Sequence, residues 1–271
     1  MLRALVVLVG IRAEVQHPAL AEDLLTQSVG AACGEVVDQL LIVLHVFMLA
    51  LFVGWGVFFI HCLIRYRSGA NPTATYDPIK AKLSKYVEIF VVVFEAFLLV
   101  GLSMPVWSQF KADLPAESEA VEIHVMAEQF AWNVHYPGAD GVFGRKAPQF
   151  VTPENLLGLD PDDTNGKDDF NSINNLHVPV NRPILIRLTS KDVIHSFKVP
   201  VLRLTQDAIP GQEIPFWFEA TKTGGFDIAC AQLCGLGHYR MRGQLNIQTQ
   251  ADFEAWLAEQ VEEEDDGGFA F

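Results

Sequence analysis

The most informative absence in this sequence is an absence of charge. From Gln39 to Ile64, 26 consecutive residues include no Asp, Glu, Lys or Arg. A second apolar run, from Val87 to Trp107, is interrupted only by Glu88 and Glu95. Because about 20 apolar residues are enough to cross a bilayer, both runs are long enough to be transmembrane helices. A wholly soluble protein is excluded.

Basic residues are scarce after the second apolar run. From Ser108 onward there are 25 acidic residues and 12 Lys or Arg residues, so this part carries nearly all of the chain's net charge of −14. Nucleic acid is excluded as a partner, because binding to phosphates needs a basic face. A basic protein partner is favoured, since complementary charge speeds docking.

Cysteine is also scarce. The chain has four cysteines, which are too few to staple a domain of this length with disulfides. No Cys-x-x-Cys-His motif is present, so nothing in the sequence indicates covalently attached haem. Cys62 lies in the first apolar run and is interpreted as a buried structural thiol. Cys33 precedes that run and is a possible lipidation site. The remaining two, Cys230 and Cys234, lie close together.

The distribution of charge predicts an ordered set of segments. The short loop between the two apolar runs is basic, and basic loops stay in the cytoplasm, so both chain ends are predicted to lie outside. Pro105 lies near the outer end of the second run, where a helix can break. The predicted segments are an N-terminal segment with a possible signal peptide (1–38), a first transmembrane helix (39–64), a cytoplasmic loop (65–85), a second transmembrane helix (86–108), an external domain (109–250), and a short helix with an acidic tail (251–271).

The external domain has the pattern of a β-structure. Apolar and polar residues alternate from Val121 to Val125 and, more loosely, from Ile184 to Leu188. Short alternating segments separated by Gly, Pro and Asn turns predict a sandwich or a barrel. The range 158–175 is rich in Asp, Asn and Gly and is predicted to be a surface loop. Residues 252–261 are predicted to form a helix, and 262–266 a solvated acidic run.

One short segment concentrates metal-binding groups. Residues 230–241 contain two cysteines, one histidine and one methionine in the pattern Cys-x3-Cys-x3-His-x2-Met. Soft sulfur ligands combined with imidazole favour copper. Together with the upstream His195, the set allows both thiolates to bridge two copper ions. His195 and His238 would then be terminal ligands, and Met241 and a main-chain carbonyl would complete the site.

Other interpretations of the two cysteines fit the rest of the motif less well. A Cys-x3-Cys pair alone is also compatible with a disulfide or with half of a zinc site. Zinc, however, prefers tetrahedral Cys and His ligands and has no use for methionine. A mononuclear blue-copper site needs only one cysteine. The complete pattern therefore favours two coppers.

The sequence resembles subunit II of cytochrome c oxidases. The resemblance rests on the helical hairpin, the aromatic segment 129–133, the strand His195-Ser196-Phe197, the segment 207–211 and the copper loop, residues 230–241. It implies a membrane-anchored all-β protein with a cupredoxin-like Greek-key β-barrel. It also implies a dinuclear copper centre, CuA, whose ligands are His195, Cys230, Cys234, His238, Met241 and the carbonyl of Gln232.

The same resemblance implies a function and partners. Cytochrome c would deliver electrons to CuA, and CuA would pass them to haem in subunit I. There dioxygen would be reduced to water with proton pumping. The implied location is a bacterial inner membrane, with the C-terminal domain on the periplasmic side, in contact with subunit I, other oxidase subunits and lipid.

Two positions depart from the family pattern. The family commonly has Glu where this chain has Gln232, and that Glu reaches a magnesium ion shared with subunit I. A neutral amide is a weaker ligand for this hard cation, although Asp207 could still contribute. The family also has Trp where this chain has Phe130, at the point where electrons enter. Trp132 nearby is the other candidate for electron entry, although a core aromatic residue is the preferred interpretation.

Glu88 is a third candidate. A carboxyl group inside a membrane span is costly unless it faces water or a partner. The resemblance places Glu88 at the mouth of a proton path into subunit I. Glu95 lies two helical turns further along nearly the same face, and its role is open.

Three other functions were weighed against this interpretation. The CuA subunit of a nitric oxide reductase would have the same metal site. A quinol oxidase subunit II would lack the copper ligands that are present here. A membrane-anchored copper chaperone would bind copper at an exposed site rather than through two buried bridging thiolates.

Overall fold

The computed structural model describes residues 34–73, 76, 82–111, 114–138, 140–153 and 155–265. The predicted signal peptide and the lipidation of Cys33 lie outside these residues. Within them, the chain forms two long apolar helices, followed by a β domain and a C-terminal helix.

The two apolar helices lie side by side. Helix α1 (Gly34–Arg65) is joined to α2 (Lys82–Phe97), which continues through a π-helical turn into α3 (Met104–Lys111). The rings of Phe47 and Phe94 are 4.8 Å apart and pack the two helices together. The stretches 37–65 and 82–108 are long and apolar enough to cross a membrane, and almost none of their surface is buried within the chain.

Pro105 lies where the second helix passes from one helical segment to the next. The π-helical turn Leu98–Ser103 immediately precedes it, and the N–H of Met104 donates to the carbonyl of Leu99. This wider turn starts a new helical segment in which Pro105 is the second residue. Proline is tolerated in the first turn of a helix because its missing N–H has no partner there. The helix therefore continues to Lys111.

The β domain consists of ten strands in two five-stranded sheets. The first sheet has the order β3-β2-β1-β5-β8 and the second the order β4-β10-β9-β6-β7. The strands are β1 (Val121–Glu128), β2 (Ala131–Tyr136), β3 (Phe170–Ile173), β4 (Asn175–Pro179), β5 (Pro183–Ser190), β6 (His195–Val199), β7 (Leu204–Ala208), β8 (Ile214–Glu219), β9 (Gly224–Cys230) and β10 (Arg242–Gln248).

The two sheets enclose one hydrophobic core. Alternate residues of β1 (Ile123, Val125 and Ala127) are fully buried, as the alternation in the sequence predicts. Trp132 from the first sheet packs edge-on against Phe197 from the second, with ring centroids 5.3 Å apart. The predicted class, a membrane-anchored all-β protein with a cupredoxin-like domain, is confirmed. The sheets are mixed, however, because β1 pairs with β5, and β10 with β4, in parallel.

The range 158–175 is only partly a surface loop. Residues Phe170–Ile173 form β3, and Phe170 is buried beneath the ring of Tyr136. The prediction was wrong for this end of the range. The segment is rich in Asp and Asn, which is typical of loops, but its last residues form a short strand that pairs with β2.

A polar cluster around the buried pair His135 and Asp169 holds the long segment between β2 and β3 against the domain. Asp169 accepts hydrogen bonds from His135 (2.6 Å) and from the backbone of Gly144 (2.8 Å). Lys146 donates to the Nδ1 atoms of His124 (2.7 Å) and His135 (3.3 Å). Burial lowers the pKa of both histidines, that of His124 to about 3. Both rings are therefore neutral near pH 7 and can accept these bonds.

The C-terminal helix α4 (Gln250–Asp265) includes the predicted helix and packs on the β domain. Phe253 is buried in the core, and Trp256 stacks on His177 with ring centroids 4.0 Å apart. The acidic run was predicted to follow the helix, but its residues 262–265 are part of the helix.

Replacing Ile186 by Ala should lower the free energy of unfolding by about 2–5 kcal/mol, because Ile186 is fully buried in β5, an inner strand of the first sheet. The matched control is Ile173→Ala at an exposed edge position, which should change it by no more than about 0.5 kcal/mol. Urea unfolding of the full chain in detergent, followed by tryptophan fluorescence, measures both. Equal losses would contradict the described core.

Candidate metal centre

Adjacent strands of the second sheet bring the candidate ligands together. His195 is the first residue of β6, and Cys230 is the last residue of β9. These strands are antiparallel neighbours, with Phe197 opposite Cys230. The loop from β9 to β10 then folds back, so that Cys234, His238 and Met241 return to the same end of the sheet.

The two cysteines at the site are free thiols. Their Sγ atoms are 3.8 Å apart, whereas a disulfide would require about 2.05 Å. A metal ion placed about 2.3 Å from each sulfur fits between atoms at this separation. The disulfide alternative is thus disfavoured by the geometry.

The other donor atoms lie at different distances from the two sulfurs. His195 Nδ1 lies 3.1 Å from Met241 Sδ and 4.0 Å from Cys230 Sγ. His238 Nδ1 lies 3.7 Å from Cys234 Sγ. Among the described residues, His195, Cys230 and Cys234 form a group with ligand atoms within 4.8 Å of one another, and His238 is not in it. The donors therefore spread around the thiol pair instead of converging on one point.

A main-chain carbonyl also reaches the thiols. The Cys230 thiol donates to the carbonyl oxygen of Gln232 at 3.1 Å. The side chain of Gln232 is not needed for this contact, so the departure from Glu at this position leaves the carbonyl in place.

Burial shapes the electrostatics of the site. His195, Cys234 and Met241 are all buried. Burial raises the pKa of Cys234 to about 11, and the neighbouring Cys230 adds to the effect. At neutral pH the metal-free chain therefore holds Cys234 as a thiol. A cation is needed to stabilise the thiolate, and a bound metal supplies such a charge.

Asp192 is a site residue that the sequence did not reveal. Its carboxylate accepts a hydrogen bond from His195 Nε2 at 2.9 Å, which directs Nδ1 of the same ring toward the sulfurs. The backbone N–H of Gln129 donates to the other carboxylate oxygen at 2.7 Å. Carboxylates that orient metal-binding histidines in this way are common. The available signal was an acid three residues before His195.

Phe130 packs directly against the loop between β9 and β10, residues 231–241. A Cβ atom added at Gly237 would lie 2.4 Å from the Phe130 ring. The preceding residue, Gln129, donates from its side chain to the carbonyl of Cys234 at 2.5 Å. This position therefore keeps an aromatic contact with the loop.

Trp132 is fully buried below the site, with its ring centroid 6.2 Å from that of His195. This placement agrees with the interpretation as a core residue.

The remaining candidates lie apart from the thiol pair. Asp207 is exposed on β7, opposite Ser196 of β6. Glu88 and Glu95 lie on the exposed surface of α2.

Comparison with known proteins identifies the family. Residues 121–247 match the family model for the periplasmic domain of cytochrome c oxidase subunit II. The chain is also 36% identical over 205 residues to the alternative cytochrome c oxidase subunit 2 of Bradyrhizobium diazoefficiens, covering 75% of this chain and 73% of that protein. The chain belongs to the cytochrome c oxidase subunit II family. Its relatives are thus subunits of an oxidoreductase complex of the membrane.

Further relatives match subunit II over shorter lengths. A cytochrome c oxidase subunit 2 of Thermostichus vulcanus is 50% identical over 82 residues, which is 30% of this chain and 24% of that protein. The crystal structure of the periplasmic domain of subunit II of cytochrome oxidase from Bradyrhizobium japonicum aligns with a TM-score of 0.41 and 28% identity. It covers 56% of this chain and 99% of that domain.

Replacing Gly237 by Ala should open the loop, because the new Cβ atom would collide with the Phe130 ring. We expect Cys234, which is buried in the wild-type chain, to react several-fold faster with iodoacetamide in the metal-free protein. Mass spectrometry of the labelled peptide measures the rate.

The control is Gly225→Ala on β9, where the added Cβ atom would meet mainly the flexible side chain of Gln244. It should leave labelling unchanged. If both variants label at the wild-type rate, Phe130 does not fix the loop.

Proposed function

We propose that this subunit II accepts electrons one at a time from cytochrome c at a dinuclear CuA centre and passes them to haem in subunit I, where dioxygen is reduced to water with proton pumping. The residues proposed to hold the two coppers are His195, Cys230, Cys234, His238, Met241 and, through its carbonyl, Gln232.

One observation carries the proposal. Two free thiols lie 3.8 Å apart, with one imidazole beside each: His195 near Cys230 and His238 near Cys234. A single tetrahedral ion would call for all four donors around one point. Donors distributed around a sulfur pair instead suit two ions that share both sulfurs.

The donor set fits copper better than other metals. Two thiolates, two imidazoles and a thioether are the soft and borderline ligands that copper prefers. When bound, such a copper pair takes up and releases single electrons. The chain itself excludes water from the thiol at Cys234, positions His195 through Asp192, and braces the loop with Phe130. These contacts hold the donors in one arrangement.

The surface of the copper loop suits contact with a protein donor. Leu236 and Tyr239 are 97% and 86% exposed, and Phe130 lies beneath this part of the loop. No acidic residue occurs from Cys230 to Gly243. Cytochrome c would therefore meet apolar side chains at the point of electron transfer. The acidic excess of the rest of the domain would steer a basic donor toward it.

The proposed orientation places the β domain in the periplasm of a bacterium. Arg65 and Arg67 follow the first span, and Lys82 and Lys85 begin the second. Basic residues at these ends favour the cytoplasm for the connecting loop. Glu88 lies near this inner end, where it would pass protons into subunit I. A magnesium ion shared with subunit I would depend on Asp207, because Gln232 offers only a neutral amide.

The nitric oxide reductase alternative is not favoured. The matching relatives are named as subunits of cytochrome c oxidases, and nothing in the described site distinguishes a nitric oxide partner.

Copper loading of the full chain tests the centre. We expect two coppers per chain and a seven-line electron paramagnetic resonance pattern, because one unpaired electron is shared by both ions. Replacing Cys230 or Cys234 by Ser should abolish this pattern. The matched control, Cys62→Ser in α1, should preserve it. One copper with a four-line pattern, or bound zinc, would overturn the proposal.

Replacing Glu88 by Gln should slow oxygen consumption by the assembled oxidase several-fold while leaving the copper signal intact, since the change removes a proton carrier in the membrane but no copper ligand. Glu119→Gln, at an exposed position of the outer domain, is the control and should consume oxygen at the normal rate. Normal turnover in Glu88→Gln would refute the proton role.

A further inference from the structure

A cavity lies where the β domain meets the outer ends of the membrane helices. Its volume is about 200 Å³. Both the helices and strands β7 and β8 contribute to its wall. The residues that matter for its chemistry are Trp107, Lys111, Arg203, Thr205, Gln206 and Trp217.

The position of the cavity corresponds to the surface of the membrane. Val37, which starts the first apolar stretch, lines it, and so does Trp107, one residue before the second stretch ends at Ser108. Tryptophan is enriched at this level because its ring is apolar and its N–H is polar. Trp107 is 63% exposed. A lipid lying beside the helices would have its headgroup at this height.

The cavity contains one uncompensated positive charge. Arg203 is neutralised by Asp38, with Nε and Oδ1 2.9 Å apart. Lys111, by contrast, donates to the neutral side-chain amide of Gln206. No carboxylate of the described residues forms an ion pair with it. Burial lowers the pKa of Lys111, which agrees with a partly desolvated ammonium group that lacks an anionic partner.

Lys111 therefore lacks an anionic partner at the level of the lipid headgroups. Anionic phospholipids present a phosphate at this height, and a lysine near such a membrane surface is attracted to it. The indole nitrogen of Trp217 also makes no hydrogen bond within the described structure, but it is inaccessible to solvent and is out of reach of a ligand.

We propose that this cavity binds the phosphate of an anionic phospholipid from the outer leaflet, with the acyl chains lying along Val37 and Trp107. Lys111 would pair with the phosphate oxygens. A zwitterionic headgroup suits the cavity less well, because Arg203 already occupies the nearby carboxylate of Asp38. A free phosphate ion would leave the apolar part of the wall uncovered. The proposal does not depend on the copper centre.

The assembled oxidase, purified in detergent and depleted of lipid, provides the test. It is incubated with phosphatidylglycerol or with phosphatidylcholine, and the phospholipid retained by this subunit is counted by native mass spectrometry. We expect preferential retention of phosphatidylglycerol. Lys111→Gln should reduce retention about five-fold, the effect expected of one lysine near a charged lipid. Thr205→Glu, which places an acid in the wall, should reduce it further.

The matched control is Lys222→Gln at an exposed position away from the cavity wall, which should retain phosphatidylglycerol normally. Circular dichroism confirms folding of every variant. Equal retention of both lipids, or no retention because subunit I covers the cavity, would overturn the proposal. Displacement of the lipid by millimolar inorganic phosphate would show a site for free anions and would also overturn it.

Discussion

The pairing of β6 with β9 is the constraint on which the rest of the site depends. It places His195 and Cys230 at the same end of one sheet, from positions 35 residues apart in the chain. The loop that follows needs only to return Cys234 to within 3.8 Å of Cys230. Strands deep in a core keep their register because a slip would turn apolar side chains toward water. The positions of the donor atoms are therefore as stable as the fold of the β domain.

Much of this arrangement could be predicted from the sequence, and the reasons are local. The candidate ligand types and their spacing lie within twelve residues, so His238 and Met241 could be proposed as ligands without knowing the fold. The alternation in β1 and the uncharged run of α1 have equally direct signatures. Asp192 had no comparable signal. Its importance comes from a hydrogen bond to a ring whose orientation depends on the tertiary structure.

The features that the sequence did not indicate have similar physical causes. Phe170 lies in an acidic segment, and its burial depends on Tyr136 and Trp256, which are distant in sequence. The π-helical turn before Pro105 has no clear signature in the sequence. The contact of Lys111 with Gln206 joins residues 95 positions apart, so it depends on the tertiary structure.

The continuation of the second helix through its π-helical turn has a mechanical consequence. It runs from Lys82 through the π-helical turn to Lys111, and Lys111 and Asp38 each contact strand β7 or the turn before it. The β domain thus contacts both long helices directly and is not connected to them by a flexible linker alone. In the proposed function, the distance between the outer domain and subunit I, which an electron would have to cross, would therefore be set by the length of a helix.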